Sequence, residues 1–277
     1  MKRNELKKLL PILTAIMLMV SSCEKTIDEP PLTINNLKGM FVPCEGIFGQ
    51  ANSEISFYDS RTGQTTKSLF YSVNGVAPGD VVQAFEIADT LGFIVVNNSQ
   101  KVIVVNMKDF RVVKTIDGFS YPRSVVRADD KSVYVSNGNG TSDNYISRIS
   151  LSTLEITGTL TLNTGPERLI AVKSKVFAAI SGGWNNDGNT VIEIDPVSFT
   201  VINTYTVASI PVDIVSDKDN NIWAYCKGIP DYTNWPEVTY SGAGLSKINT
   251  SAATVTTFAI DNMASPGINN IAASRDG

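Results

Sequence analysis

A unit of about 44 residues recurs along this chain, and that period constrains the fold more than any other feature. Four apolar hairpins can be laid in register: LGFIVVNNSQKVIVVN (91–106), KSVYVSNGNGTSDNYISRIS (131–150), SKVFAAISGGWNNDGNTVIEID (174–195) and NIWAYCKGIPDYTNWPEVTYSGAGLSKIN (221–249). Each carries an aromatic residue at the same place: Phe93, Tyr134, Phe177 and Trp223. A proline stands 11 or 12 residues ahead of the last three (Pro122, Pro166, Pro211), and Pro266 opens a further unit. Short strands with alternating side chains cannot bury both faces within one such unit, so each unit must stack on its neighbours. A strand-built repeat of this length is the signature of a β-propeller blade. The expected class is all-β.

Within a unit the strands can be lettered A to D from the channel outward. Strand A follows the proline (RSVVRAD, RLIAVKS, VDIVSDK), and strand B carries the aromatic. Strand C is the ISRIS, VIEID or LSKIN run, and strand D is EITGTLTL or TVINTYTV. The period of two in C and D gives each strand one face for each neighbouring blade. Asp129-Asp130 and Asp219-Asn220 mark tight A–B turns, and Asp59-Ser60 and Asp195-Pro196 mark tight C–D turns. The B–C connections instead lengthen along the chain, from Asn97-Asn98-Ser99 to SNGNGTSDN, SGGWNNDGN and CKGIPDYTNWPEVTYSGAG. Propeller topology puts all B–C and D–A loops on one face, which is the predicted recognition surface.

The first unit opens with LKGMFVP, EISFYD and TTKSLFY and lacks strand A on its N-terminal side. At the other end, SPGINNIAASRDG (265–277) aligns with the opening strand of another blade and stops inside a hairpin. The expectation is a repeat domain over 37–277 with about five blades and the start of a sixth, truncated at its C-terminus. An open arc of this kind exposes a strand edge.

Residues 1–22 read as a targeting segment. Lys2, Arg3, Lys7 and Lys8 precede a 12-residue apolar stretch, Leu9 to Val20. A spanning helix needs about 20 residues, so this stretch is too short. It ends in Val20-Ser21-Ser22-Cys23, which resembles a bacterial lipoprotein signal; Cys23 is the expected lipidation site, and residues 23–36 the anchor and tether. Without residues 1–22, which hold four of the basic residues and Glu5, 19 Lys+Arg face 26 Asp+Glu, a net charge of −7. Such a surface argues against nucleic acid and against docking on anionic lipid. The lipid would supply the membrane attachment.

The chain has no histidine, which removes the commonest general base, the usual catalytic triad and most zinc sites. Cys44 and Cys226 hold equivalent places (MFVPCEGI and IWAYCKGI) in blades that stand apart, so both are expected to be free and mostly buried. Asn186-Asp187-Gly188-Asn189 lacks the alternating carboxylates of a calcium loop, and no metal or cofactor is expected. No nucleophile or carboxylate pair stands in a catalytic context, so binding is expected, not catalysis.

Candidate ligand-binding residues fall in two sets. The loop face offers Phe48, Asn98, Trp184, Asn185, Asn186, Tyr225, Tyr232, Trp235 and Tyr240. Such aromatics either pack on one another as a cap or anchor a ligand by stacking, worth about 0.5–1.5 kcal/mol each beyond area burial. The second set, Gln83, Arg123, Arg168, Asp213 and Asn269, puts polar groups on apolar A strands at the channel mouth, where they need partners.

The segment GDVVQAFEIADTLGFIVVNNSQKVIVVNMKDFRVVKTIDGFSYPR (79–123), with the preceding EG.F...N..IS.YD start, resembles the YncE-like surface-layer β-propeller lipoproteins of Bacteroidetes. The resemblance covers about residues 39–270 and is strongest over 41–135. It implies a seven-bladed family anchored by lipid at the outer-membrane surface. One branch, the BtuG type, captures cobalamin and hands it to a TonB-dependent transporter. The implied function is non-catalytic capture of a corrinoid or similar bulky ligand. The alternatives are a protein- or polysaccharide-interaction module of a surface uptake complex, and a propeller enzyme such as a lactonase or lyase.

Overall fold

The period-two patterning of the repeats produces antiparallel meanders whose two faces are both apolar. The computed structural model describes residues 38–138, 140, 143–260 and 270–274. The leader, Cys23, the tether to residue 36 and Asn269 lie outside the described residues. The chain divides into residues 1–32 and 33–277, and every described residue lies in the second unit.

The described residues build five antiparallel sheets and one short hairpin. The first sheet has three strands, β1 (Gly39–Cys44), β2 (Glu54–Asp59) and β3 (Gln64–Thr66), followed by a short helix α1 (Leu69–Asn74). The second is β4 (Val82–Ala88), β5 (Leu91–Val96), β6 (Lys101–Asn106) and β7 (Val112–Ile116). The third is β8 (Pro122–Arg127), β9 (Ser132–Asn137), β10 (Tyr145–Ser150) and β11 (Ile156–Thr161). The fourth is β12 (Pro166–Val172), β13 (Lys175–Ile180), β14 (Thr190–Asp195) and β15 (Thr200–Thr206). The fifth is β16 (Pro211–Ser216), β17 (Ile222–Cys226), β20 (Gly244–Asn249) and β21 (Thr254–Ala259), with the hairpin β18 (Ile229–Asp231) and β19 (Thr239–Ser241) inserted between β17 and β20. The strands of each sheet lie in sequence order, as in propeller blades.

The leading strands β1, β4, β8, β12 and β16 pack on one another in that order, so the sheets radiate from a common inner edge. Alternate residues of each second strand then serve opposite interfaces. Phe93 and Val95 join Val133 and Val135 between the second and third sheets. Tyr134 turns the other way, onto Val176 and Ala178 of the fourth. Phe177 and Ala179 turn onto Ile222, Ala224 and Cys226 of the fifth. Between the first two sheets the filler is aromatic: Phe41 lies 4.8 Å from Phe57, 5.0 Å from Phe85 and 5.5 Å from Phe110, ring to ring. The aromatic aligned at one register in the sequence is therefore, at Phe93, Tyr134 and Phe177, the wedge between blades.

The C–D turns repeat in detail. The last residue of each C strand, Asp59, Asn106, Ser150, Asp195 or Asn249, accepts a hydrogen bond on its side chain from the backbone N–H two residues on. Four residues after it the chain adopts positive φ, at Gly63, Phe110, Leu154, Phe199 and Ala253. Asp, Asn and Ser are favoured there because a short polar side chain can stand in for the missing turn hydrogen bond.

One expectation is corrected. Cys226 is buried, but Cys44 is exposed, and neither forms a disulfide. The two hold equivalent positions in β17 and β1, yet β17 is flanked by β16 and β20 while β1 is the edge of its sheet. Without a flanking strand on that side among the described residues, the same register leaves a thiol in solvent.

Candidate functional site

The site is assembled by a hydrogen-bonded joint that recurs where each loop meets its sheet. The residue before strand A adopts positive φ in three sheets: Val81 (63°), Tyr121 (49°) and Ile210 (60°). Its carbonyl accepts the N–H of the first residue after strand B: Asn97 onto Val81 at 2.7 Å, Gly138 onto Tyr121 at 3.3 Å and Lys227 onto Ile210 at 3.0 Å. In the fourth sheet Gly182, the second residue after β13, makes the corresponding bond to Gly165 at 3.1 Å. Left-handed backbone at β-branched Val81 and Ile210 is strained, and strain of this kind persists where surrounding structure holds it. Each A strand then begins with a register shift, between Val82 and Ala84, Pro122 and Val125, Pro166 and Leu169, or Pro211 and Asp213. A bulge re-aims the side chains beside it.

These joints surround a cavity of about 770 Å³ to which all five sheets contribute. From the A strands come Gln83, Arg123, Glu167 and Val212, and from the positions after strand B come Glu45, Asn97, Gly138 and Lys227. Phe48, Tyr121, Trp184 and Asn186 complete its aromatic and amide wall, and Asn270 also lines it. Its volume falls within the range of small-molecule sites, about 300–1,000 Å³.

The charged groups are ordered. Arg123 donates from Nε and Nη2 to Glu167 Oε1, at 2.9 and 2.5 Å. Ser136, fully buried in β9, donates to the Glu167 carbonyl at 2.7 Å and accepts the Ser124 N–H at 3.0 Å, bridging the bulged starts of two A strands. Gln83 donates to Glu45 Oε1 at 3.1 Å. Burial lowers the pKa of Lys227, opposed by Glu167 and reinforced by Arg123. Away from the cavity lining, Arg168 Nε stands 3.6 Å from Asp213 Oδ1. Burial raises the pKa of Asp213, and its Oδ2 accepts the Ile271 N–H at 2.9 Å. Burial likewise raises that of Glu86, against hydrogen bonding from Arg127 and the fields of Arg168 and Arg127.

Of the residues singled out in the sequence, Phe48, Gln83, Arg123, Trp184 and Asn186 meet at this cavity. Trp184 stands edge-on to Tyr121, centroids 5.4 Å apart, and keeps 65% of its surface exposed. Asn185 and Asn98 lie just behind the wall. Asn185 Nδ2 donates to Gly140 O at 2.5 Å and ties Trp184's turn to the neighbouring loop. Asn98 donates to Asp80 Oδ2 at 2.6 Å; the same oxygen accepts the Gly49 N–H at 2.8 Å and so fixes the loop bearing Phe48. Tyr225 is buried in β17, while Tyr232 and Trp235 project from the β18–β19 insertion, outside the cavity lining. Arg168 and Asp213 form the separate pair described above.

Among the lining residues that escaped the sequence reading are Glu45, Tyr121, Glu167 and Lys227. Two could have been found, because Cys44-Glu45 and Cys226-Lys227 occupy one repeat position. Glu167 could have been found in the same way, because it follows Pro166 as Arg123 follows Pro122 and both A strands begin with the same bulge. Among the described residues no group of three or more His, Cys, Asp or Glu side chains gathers as metal ligands.

Two solved structures share this architecture. The chain is similar to the hydrazine synthase of Kuenenia stuttgartiensis at 21% identity and a TM-score of 0.61, over 75% of this chain and 60% of that one. It is similar to the WD40 domain of Pan2 from Neurospora crassa at 14% identity and a TM-score of 0.56, over 85% of this chain and 65% of that one. The chain thus spans less than two thirds of either structure's length, and at these identities the likeness establishes the β-propeller fold alone. No curated protein sequence matches the chain. A family model does match residues 38–277, nearly the whole propeller region, and the chain therefore belongs to the family described as "Domain of unknown function (DUF5074)".

Proposed function

We propose that this protein is a non-catalytic, lipid-anchored surface lipoprotein that captures a small-molecule ligand in the cavity at the channel mouth. The observation that carries the reading is that one cavity of about 770 Å³ draws residues from all five sheets. A site drawn from all five described sheets exists only once they are packed together, and a site pre-formed by that packing limits the ordering cost of binding. The leader and Cys23 supply the reading of an outer-membrane anchor. The resemblance over residues 41–135 supplies the YncE-like, Bacteroidetes lineage and a ligand of the corrinoid class, handed to a TonB-dependent transporter.

Isothermal titration of cobalamin into the protein tests this. The expected result is one-to-one binding, weakened about tenfold by Trp184→Ala, which removes a stacking wall. Asp130→Asn, on the tight-turn face, leaves binding unchanged. Absence of heat with cobalamin overturns the corrinoid assignment.

A second reading rests on Trp235 and Tyr232, which are 73% and 59% exposed on the inserted hairpin and outside the cavity lining. Exposed aromatics on a loop suit a protein or polysaccharide partner. If that reading is right, Trp235→Ala abolishes partner capture while leaving cobalamin binding intact.

A further inference from the structure

One charged group in the cavity has no direct hydrogen-bond or ion-pair partner among the described residues. Both carboxylates of the lining are engaged: Glu167 by Arg123, and by Ser181 Oγ at 3.4 Å, and Glu45 by Gln83. Arg123 is correspondingly committed to Glu167. Lys227 lines the same cavity and is half-buried, with its backbone N–H bonded to Ile210 O. Among the described residues no hydrogen bond or ion pair reaches its Nζ. A partly desolvated ammonium with no direct ion pair, on which Glu167 acts only through space while bonded to Arg123, is under-compensated, and an anion is the group that satisfies it. The lining offers such an anion a particular body to be attached to: the Trp184–Tyr121 pair supplies ring surface, and Phe48, Val81 and Val212 add apolar wall.

We infer that the cavity takes an organic anion, with a planar or aromatic body resting on Trp184 and Tyr121 and a carboxylate or phosphate bound by Lys227. This deepens the ligand-capture reading and rests on it. A cation is disfavoured because both lining carboxylates are already neutralised or hydrogen-bonded. A bare inorganic anion would leave most of the 770 Å³ unfilled. The lowered pKa of Lys227 agrees with this arrangement, since an ammonium kept partly from water and beside Arg123 has most to gain from an arriving negative charge.

The test titrates 1-naphthyl phosphate, 1-naphthoate and uncharged 1-naphthol into the full chain, its Lys227→Met variant and its Lys227→Arg variant. The expected result is binding of at least one anion about tenfold tighter than naphthol, as a charge-assisted contact provides. Lys227→Met should bring anion and naphthol to equal affinity, and Lys227→Arg should keep the preference. The phosphate and naphthoate arms show which acid the site favours. Equal affinity for charged and uncharged probes in the wild type, a preference that survives Lys227→Met, or no heat from any probe overturns the inference. Should Lys227→Met not fold, the wild-type comparison alone decides. Cobalamin titrated in parallel separates the two readings. Cobalamin binding with silent naphthyl probes overturns only the anion assignment. Silence with cobalamin, alongside a Lys227-dependent anion preference, overturns only the corrinoid one.

Discussion

At the scale of single residues, chemistry follows the immediate neighbours of each side chain more closely than its place in the repeat. Cys226 and Cys44 share a repeat position, but burial pushes the Cys226 thiol up to about 12 while Cys44 stands in solvent. Because the thiolate is the reactive form, iodoacetamide at pH 8 should label Cys44 and leave Cys226 unmodified in the folded protein, as read by peptide mapping. The carboxylates divide in the same way. Asp59 and Asp195 are held at about 2, by hydrogen bonds from Arg61 and Lys175 respectively and from turn N–H groups, and Asp217 at about 2 by hydrogen bonds from Asn221 and Trp223 that outweigh its desolvation. Folded-state values below the unfolded ones mean stability that is present near neutrality and lost as pH falls from about 4 through 2. Glu86 and Asp213 are raised by burial, so the folded state takes up their protons first and gains stability as pH falls below neutral. The melting temperature should therefore pass through a maximum in the mildly acidic range and fall below pH 4, modestly because those carboxylates are solvent-screened. Asp213→Asn should diminish the acidic rise.

At the scale of elements, the two faces of the ring use positive φ for different ends. On the tight-turn face, the residue four after each C strand takes it, and Gly63 is the one glycine in the set. A Cβ there would meet nothing within 4 Å, so the backbone alone is tested. Gly63→Ala should destabilise by about 1 kcal/mol in a denaturant titration, with no change in slope. On the loop face the strained residue precedes strand A, and its carbonyl is bonded to the chain leaving strand B. This joint and the bulge after it turn an apolar strand into one that presents Gln83, Arg123 or Glu167 to a common cavity. The same backbone device thus repeats while the side chain it aims differs from sheet to sheet, and selectivity resides in those differences.

At the scale of the molecule, stability is a sum over interfaces between neighbouring sheets, as expected of a repeat architecture. Phe177, 2% exposed between the fourth and fifth sheets, is the aromatic wedge of its interface. Phe177→Ala should cost about 3–5 kcal/mol, measured by chemical denaturation. It should also weaken ligand binding, since Glu167 and Lys227 approach the cavity from the two sheets that Phe177 holds together.

What the sequence determined by itself was the periodic part. The aromatic register of Phe93, Tyr134, Phe177 and Trp223, the proline spacing and the Asp-led turns led to an all-β propeller, because local patterning and turn chemistry depend on near neighbours in the chain. The same pattern placed the lengthening loops on one face and singled out Arg123 and Trp184. Tertiary structure alone decided the rest. The bulge at the start of the A strands aims the residue after the proline at the cavity, so Glu167 joins Arg123 there and Arg168, one place on, pairs with Asp213 instead. The long insertion after β17 carried Tyr232 and Trp235 outside the cavity lining, and β1 left Cys44 uncovered. The repeat places Lys227 at the cavity, but its burial and the engagement of both lining carboxylates by other groups are what make it an anion-binding candidate. Those are properties of groups brought together from different sheets, and no single stretch of chain contains them.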